Sequence, residues 1–99
     1  MEKIYKIKAK VWIFPGDTPW HMVTLPKVTA KNIDFYFAHA KRGWGSLPVH
    51  VTLGKTNWKT SIFTDKKSKS YILPLKAQVR KQEKVRVGEN ILLSLKVFS

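Results

Sequence analysis

Apolar and polar residues alternate along most of the chain, as they do in half-buried β-strands. In the first predicted strand, residues 5–14, one face is apolar and the other is rich in lysine: Tyr5, Ile7, Ala9, Val11 and Ile13 against Lys6, Lys8 and Lys10. Trp12 and Phe14 then make both faces apolar, so we expect this strand to begin half exposed and to end buried. A second strand is predicted from Trp20 to Leu25, where Pro26 closes it.

The spacing becomes helical between Val28 and His39, because apolar residues fall three and four apart at Ile33, Phe37 and Ala40. Gly43 is a suitable stop for this helix. We therefore predict one helix between the second strand and a glycine-rich segment.

Two further strands are predicted after the irregular segment 43–48. The first has one apolar face, formed by Val49, Val51 and Leu53. A hairpin connection, Gly54 to Asn57, leads to the second strand, Trp58 to Phe63. A lysine-rich turn, Asp65 to Ser70, then ends this strand.

The stretch from Tyr71 to Val97 predicts a strand, a short helix, a glycine turn and a final strand. Pro74 has no N–H to donate to a ladder, so the strand ends there and the helix is expected from Lys76 to Lys84. Gly88 supplies the turn, and the apolar period of two then returns at Ile91, Leu93, Leu95 and Val97.

Six strands, one or two short helices and no parallel crossover predict an all-β fold of one domain, residues 1–99. We expect a small double-split β-barrel whose openings are capped by the helices. The order strand, Leu-Pro, helix, glycine turn, strand occurs twice, from Trp20 to Leu53 and from Tyr71 to Leu95. This internal repeat aligns Leu25-Pro26 with Leu73-Pro74 and predicts an approximate two-fold within the barrel. A chance recurrence of Leu-Pro is the alternative.

The net charge of the chain bears on its function in a way that the pattern of strands and helices does not. The chain has 19 Lys and Arg against 6 Asp and Glu, a formal charge of +13, which attracts polyanions but is also compatible with a solvated lysine surface. Cysteine is absent, which excludes disulfides and thiolate chemistry and fits a reducing cytoplasm. The first residues lack the apolar segment of a signal peptide, and no apolar run approaches a membrane span. We expect a cytoplasmic protein.

The pattern of chemically reactive residues favours no reaction. No nucleophile and base, carboxylate pair or phosphate-binding glycine motif is visible. The three histidines, His21, His39 and His50, lie in different predicted elements without metal-ligand spacing, so a zinc site would have to be assembled by the fold. We predict no catalytic residues, no cofactor, no metal and no enzymatic activity.

Two groups of residues are candidates for contacts with an anion or a nucleic acid. Lys41 and Arg42 precede Trp44, which is flanked by glycines and is the best candidate for an exposed stacking face. The second group, expected to share one face of the second helix, is Lys76, Arg80 and Lys84. The tryptophans Trp12 and Trp58 stand among apolar strand residues, where we expect them to be core.

Nearly the whole chain resembles the bacterial family called domain of unknown function 1905. The resemblance is carried by separate blocks in one order: Trp12 and Phe14; Trp20, Val23, Leu25 and Pro26; Gly43-Trp44-Gly45-Ser46-Leu47-Pro48-Val49; Gly54, Trp58 and Lys59-Thr60-Ser61-Ile62-Phe63; Tyr71-Ile72-Leu73-Pro74; Val79-Arg80-Lys81; and Gly88-Glu89. It implies a double-split barrel, a fold also used by AbrB-type regulators and MazE-type antitoxins. It implies no catalytic residues, because the family has no established activity.

The end of the chain is also similar to the DNA-binding hairpin of the AbrB-type proteins, through Leu73-Pro74, Val79-Arg80-Lys81 and Val87-Gly88-Glu89. Those proteins dimerise to complete a barrel. Here the repeat would supply both halves, so we expect a monomer. Our first hypothesis is a non-catalytic binding or accessory module of undefined partner. The alternatives are nonspecific DNA binding through a basic surface and small-ligand binding in a pocket at a barrel end.

Overall fold

The computed structural model describes all 99 residues and contains six strands and two helices. In chain order they are β1 (Glu2–Phe14), β2 (Trp20–Thr24), α1 (Lys27–Phe37), β3 (Ser46–Leu53), β4 (Thr56–Asp65), β5 (Ser70–Pro74), α2 (Ala77–Gln82) and β6 (Asn90–Phe98). Two 3-10 turns, Ala38–Ala40 and Gly43–Gly45, follow α1. The first strand therefore begins earlier than predicted, and the second helix ends before Lys84.

The six strands close into a barrel in the order β1-β2-β5-β4-β3-β6, with β6 returning to β1. Every neighbouring pair is antiparallel. Closure gives every strand two neighbours, and β1 pairs with β6 over residues 2–10 and with β2 over residues 11–14. The predicted all-β barrel is confirmed.

The barrel has the predicted internal two-fold pseudosymmetry. The first half is β1-β2-α1-β3 and the second is β4-β5-α2-β6, and exchanging the halves leaves the strand order unchanged. Equivalent backbone hydrogen bonds relate them: the N–H of Leu25 donates to the carbonyl of Tyr71, and that of Leu75 donates to His21. Leu25 is therefore equivalent to Leu75, and the alignment of the two Leu-Pro pairs was wrong. Pro26 precedes a helix whereas Pro74 ends a strand, so the pairs have different roles.

The core fills the barrel and the underside of both helices. It comprises 21 buried apolar residues, among them Ile33 and Phe37 from α1 and Val79 from α2. The predicted burial at the end of β1 is wrong, since Ile13 and Phe14 are 41% and 48% exposed. Phe14 lies on the outer face of β1, and Ile13 lies on the other face beyond Lys10, where the pairing with β6 ends.

The tryptophans of β1 and β4 differ in environment. Trp58 is half-buried and packs against the core, as predicted. Trp12 lies on the outer face of β1, because the inner face is taken by Val11 and its alternate neighbours. Its indole N–H donates to Thr24 Oγ1 at 2.9 Å. The expectation that Trp12 belongs to the core was therefore wrong.

The helices lie at opposite ends of the barrel. Each follows one of two neighbouring antiparallel strands, β2 for α1 and β5 for α2, and the ends of such strands point in opposite directions. Neither helix is long and apolar enough to cross a membrane. The two predicted groups of contact residues are thus separated by the length of the barrel.

Candidate nucleic-acid interface

The outer surface of four neighbouring strands, β1, β6, β3 and β4, forms a basic face. Residues opposite each other in antiparallel strands point to the same side, so the strand pairing defines its rows. One row is Lys6, Ser94, Thr52 and Asn57, and the next is Ile4, Lys96, His50 and Lys59. Lys8 and Lys10 extend the face along β1. We call this surface the basic face and define it by Lys6, Lys8, Lys10, His50, Thr52, Asn57, Lys59, Ser94 and Lys96.

Two adjoining open grooves run over the basic face. Their volumes are about 410 and 440 Å³, and both are lined by Lys6, Thr52 and Ser94. Lysine ammonium groups therefore surround hydroxyl groups that can donate further hydrogen bonds. The grooves are open, and the apolar side chains of Ile4 and Leu92 line them beside the lysines, so they do not enclose a small ligand.

The lysines of the basic face are free of acidic partners. The one ion pair in the protein joins Lys41 to Asp34 elsewhere, with 3.0 Å between Nζ and Oδ1. Asp65 accepts hydrogen bonds from Ser68, and Glu83 accepts one from Thr56, so these carboxylates are used in turns and at a barrel end. Glu2, opposite Phe98, stands at the rim of the face. The lysines at its centre therefore have no acidic partner, and the exposed side chains of Ile4 and Leu92 lie among them.

The first predicted group of contact residues is partly used in a structural cluster. Lys41 pairs with Asp34 and lies 5.2 Å from the ring centroid of Tyr71, whose hydroxyl donates to Asp34. Burial and the hydrogen bond to Asp34 raise the pKa of Tyr71 to about 12. Partial burial opposes ionisation of Asp34, but the hydrogen bonds from Tyr71 and Lys41 outweigh it and lower the pKa of Asp34. The side chain of Lys41 is therefore held in this cluster by its contacts with Asp34 and Tyr71.

Trp44 is the most exposed large side chain of this group, at 92%. It adopts a left-handed backbone conformation with φ of 65°, and Gly45 follows with φ of 63°. The carbonyl of Trp44 accepts a hydrogen bond from Thr64 Oγ1 at 3.3 Å. Arg42 is exposed beside it and bridges to Ser46 through the backbone. The loop holds the indole away from the barrel, as predicted for an exposed face.

The second predicted group does not share one helix face. Lys76 precedes α2 as its N-cap, and Lys84 lies beyond its last residue with φ of 53°. A left-handed residue cannot continue the helix, so Lys84 leaves the row that Arg80 belongs to. The predicted common face of Lys76, Arg80 and Lys84 was therefore wrong, although Lys76 and Arg80 remain close.

Arg80 is anchored beneath α2. Its Nε donates to the carbonyl of Leu75, and its Nη1 lies 3.3 Å from Nε2 of His21. A guanidinium only donates, so Nε2 accepts and the neutral imidazole carries its proton on Nδ1. Burial, and then the charge of Arg80, lower the pKa of His21. The buried Nδ1 has no hydrogen-bond partner.

A small recess opens beside this pair, with a volume of about 170 Å³. Its lining includes Trp20, His21, Lys76 and Arg80. Trp20 lies opposite Phe14 at the tip of the β1–β2 hairpin and is 56% exposed. The recess is smaller than the pockets that enclose drug-sized ligands, which are about 300 Å³ or more. This end of the barrel is better suited to a partner that is only partly inserted.

Residues 8–95 match a family model described as domain of unknown function (DUF1905). The chain belongs to this family. The resemblance noted in the sequence is thereby confirmed over most of the domain. No similar protein was found among the curated proteins. The family description specifies no activity, so the function of this DUF1905 domain has to be argued from its surface.

The three histidines of the DUF1905 domain lie apart. His21 is on β2 beneath α2, His39 is exposed in the turn after α1, and His50 is on the basic face. The structure contains no cluster of three or more His, Asp or Glu side chains with the geometry of a metal site. Each histidine therefore has to be interpreted in its own surroundings.

Sequence reasoning missed the main surface of this DUF1905 domain. Lys6, Lys8 and Lys10 were visible as the polar face of a strand, but they were not counted as site residues. Their neighbours Ser94 and Thr52 come from distant parts of the chain and join them only through the β1–β6 and β3–β6 pairs. Trp20 was also missed, because its exposure follows from its place opposite Phe14 on the outer face at the tip of the β1–β2 hairpin. The sequence indicated this surface only through the alternation of lysines with apolar residues along β1.

Proposed function

We propose that this domain is a non-catalytic module that binds the phosphodiester backbone of nucleic acids through the basic face, without reading sequence. One observation carries the proposal: Lys6, Ser94 and Thr52 lie side by side on three neighbouring strands of that face. Lysine and hydroxyl groups are typical partners of phosphate oxygens. The net charge of +13 adds long-range attraction.

The spacing of the lysines fits repeated phosphate contacts. Successive outward residues of an antiparallel strand are about 7 Å apart, twice the rise per residue of about 3.4 Å. Lys6, Lys8 and Lys10 follow this spacing along β1 and are all exposed. A polyanion lying along β1 would therefore meet a new cation at each step, and the grooves offer Thr52 and Ser94 beside it.

The absence of base-reading geometry supports binding without sequence preference. Sequence is read from base edges by elements that enter a groove of the duplex, whereas phosphate contacts only position a protein. The basic face is the outside of a barrel, and the side chains that it projects are mainly long, flexible lysines. We therefore expect similar affinity for unrelated sequences.

A direct titration tests the proposal. Fluorescently labelled strands and duplexes of two unrelated sequences would be titrated with the intact domain at low and at physiological salt. We expect binding at low salt that differs little between sequences and weakens as salt rises. Undetectable binding at low salt, or strong selectivity for one sequence, would overturn it.

Matched variants locate the surface. The double substitution Lys6→Gln with Lys8→Gln removes two charges from the basic face, while Lys66→Gln with Lys67→Gln removes two from the exposed β4–β5 turn. Both variants have the same net charge, so only position differs. We expect the first to lose several-fold more affinity than the second. Equal losses would mean that overall charge, and not the basic face, governs binding.

A further inference from the structure

Beside the basic face, the tip of the β1–β2 hairpin carries a cluster of exposed apolar side chains. Trp20 and Phe14 lie opposite each other and are 56% and 48% exposed. The ring of Trp12 lies 6.1 Å from that of Phe14. Large aromatic side chains grouped at the surface of a small domain commonly mark a binding site. No part of this chain covers the exposed side chains.

This aromatic cluster is continuous with the basic face. Alternate residues of a strand share a side, so Lys6, Lys8 and Lys10 are followed on the same side by Trp12 and Phe14. Trp20 joins them from β2 through its pairing with Phe14. A chain that runs along the lysines of β1 therefore reaches the aromatic rings without leaving the surface.

Cationic groups stand on the far side of Trp20 as well. Lys76 and Arg80 line the recess that Trp20 borders. The Nε–H of Arg80 donates to the carbonyl of Leu75, and one N–H of Nη1 donates to Nε2 of His21. The remaining N–H groups of Arg80 have no acceptor in the protein. The anchored guanidinium thus holds free donors in a fixed position beside an exposed indole.

We propose that Trp20 and Phe14 stack on the unpaired bases of single-stranded nucleic acid, with Arg80 and Lys76 contacting the adjacent phosphate. This rests on the proposed function, and it specifies the substrate as single strand in preference to duplex. Bases within a duplex are stacked on one another and present no free ring face to an aromatic side chain. The alternation of aromatic platforms with a basic track is the arrangement used by binders of single strands.

The opposite end of the barrel offers a natural comparison. Trp44 is even more exposed than Trp20, but it lies in the loop before β3, and its neighbour Lys41 is paired with Asp34. Trp44 was the stacking residue that the sequence favoured. The structure transfers that role to Trp20, and Trp44→Ala becomes the matched control for Trp20→Ala.

The test compares a short labelled oligothymidylate with a duplex of the same length, at one low salt concentration, for the intact domain and both variants. We expect the unmodified domain to prefer the single strand. Trp20→Ala should lose between about fivefold and about a hundredfold in single-strand affinity, as expected for one stacked base. Its duplex affinity, and both affinities of Trp44→Ala, should change by less than about twofold. Thermal unfolding of each variant checks that the fold is kept.

The outcomes separate this inference from the proposed function. If single strand and duplex bind equally and Trp20→Ala changes neither, the stacking site is wrong while the basic face stands. A loss in Trp44→Ala as large as that in Trp20→Ala would also overturn it, because it would place stacking at the other end. Absence of binding to both nucleic acids would overturn the proposed function together with this inference.

Discussion

Tyr71 and His21 occupy equivalent positions in the two halves of the barrel, since the carbonyl of each accepts the N–H of the equivalent leucine, Leu25 or Leu75. Their side chains have diverged. The hydroxyl of Tyr71 is satisfied by Asp34, whereas one nitrogen of His21 contacts Arg80 and the other has no partner. The pseudo-two-fold thus relates a closed polar cluster to an incompletely paired one. The incomplete cluster lies beside the proposed stacking site.

Replacing Tyr71 by Phe tests the closed cluster. The ring stays in the core, but Asp34 loses a hydrogen bond, so we expect the free energy of unfolding to fall by about 1 to 2 kcal/mol. Urea unfolding measures it. The matched control is Tyr5→Phe, because Tyr5 donates to Asn32 at an exposed site and should cost less than about 0.5 kcal/mol. Equal losses would contradict a special role for the cluster.

The pH dependence of stability tests the environment of His21. Its pKa is lowered in the folded state, so the unfolded chain binds more protons below the ordinary histidine pKa of about 6.5. Stability should therefore be full at neutral pH and fall as the pH drops through about 6.5 towards the folded pKa. In His21→Gln this loss should disappear, as denaturant unfolding at a series of pH values would reveal. A variant with an unchanged pH profile would contradict the assignment.

Gly45 tests the loop that carries Trp44. A Cβ on Gly45 would lie 2.3 Å from Thr64 Oγ1, and its φ of 63° is unfavourable for residues with a side chain. We expect Gly45→Ala to destabilise the fold by about 1 to 3 kcal/mol. Gly43→Ala is the control, since a Cβ there meets nothing within 4 Å. It should change stability by about 0.5 kcal/mol or less, and a similar loss in both variants would contradict this description.

The sequence predicts the barrel well because local alternation and turns act over short distances. It predicts the candidate site poorly because residues that meet through strand pairing are far apart in the chain. Ser94 and Thr52 become neighbours of Lys6 only when β6 lies between β1 and β3. Conversely, Lys41, Arg42 and Trp44 are close in sequence, but Lys41 forms an ion pair with Asp34 of α1.

A different limit explains the errors in burial. Trp12 and Phe14 look like core residues because apolar neighbours surround them in sequence. Both instead lie on the outer face of β1, because Val11 and its alternate neighbours take the inner face. Where both faces of a strand are apolar, periodicity along that strand does not show which face meets the core.

We expect the lysines of β1 to neutralise phosphates, and the salt dependence of duplex affinity measures this neutralisation. Each phosphate contact contributes about −0.9 to the slope of log affinity against log salt concentration. Lys6→Gln with Lys8→Gln should therefore flatten this slope by about 1.8 units. The control Lys66→Gln with Lys67→Gln, of equal net charge, should flatten it by less than half as much. An unchanged slope in the β1 variant, or the same flattening in both variants, would contradict the account.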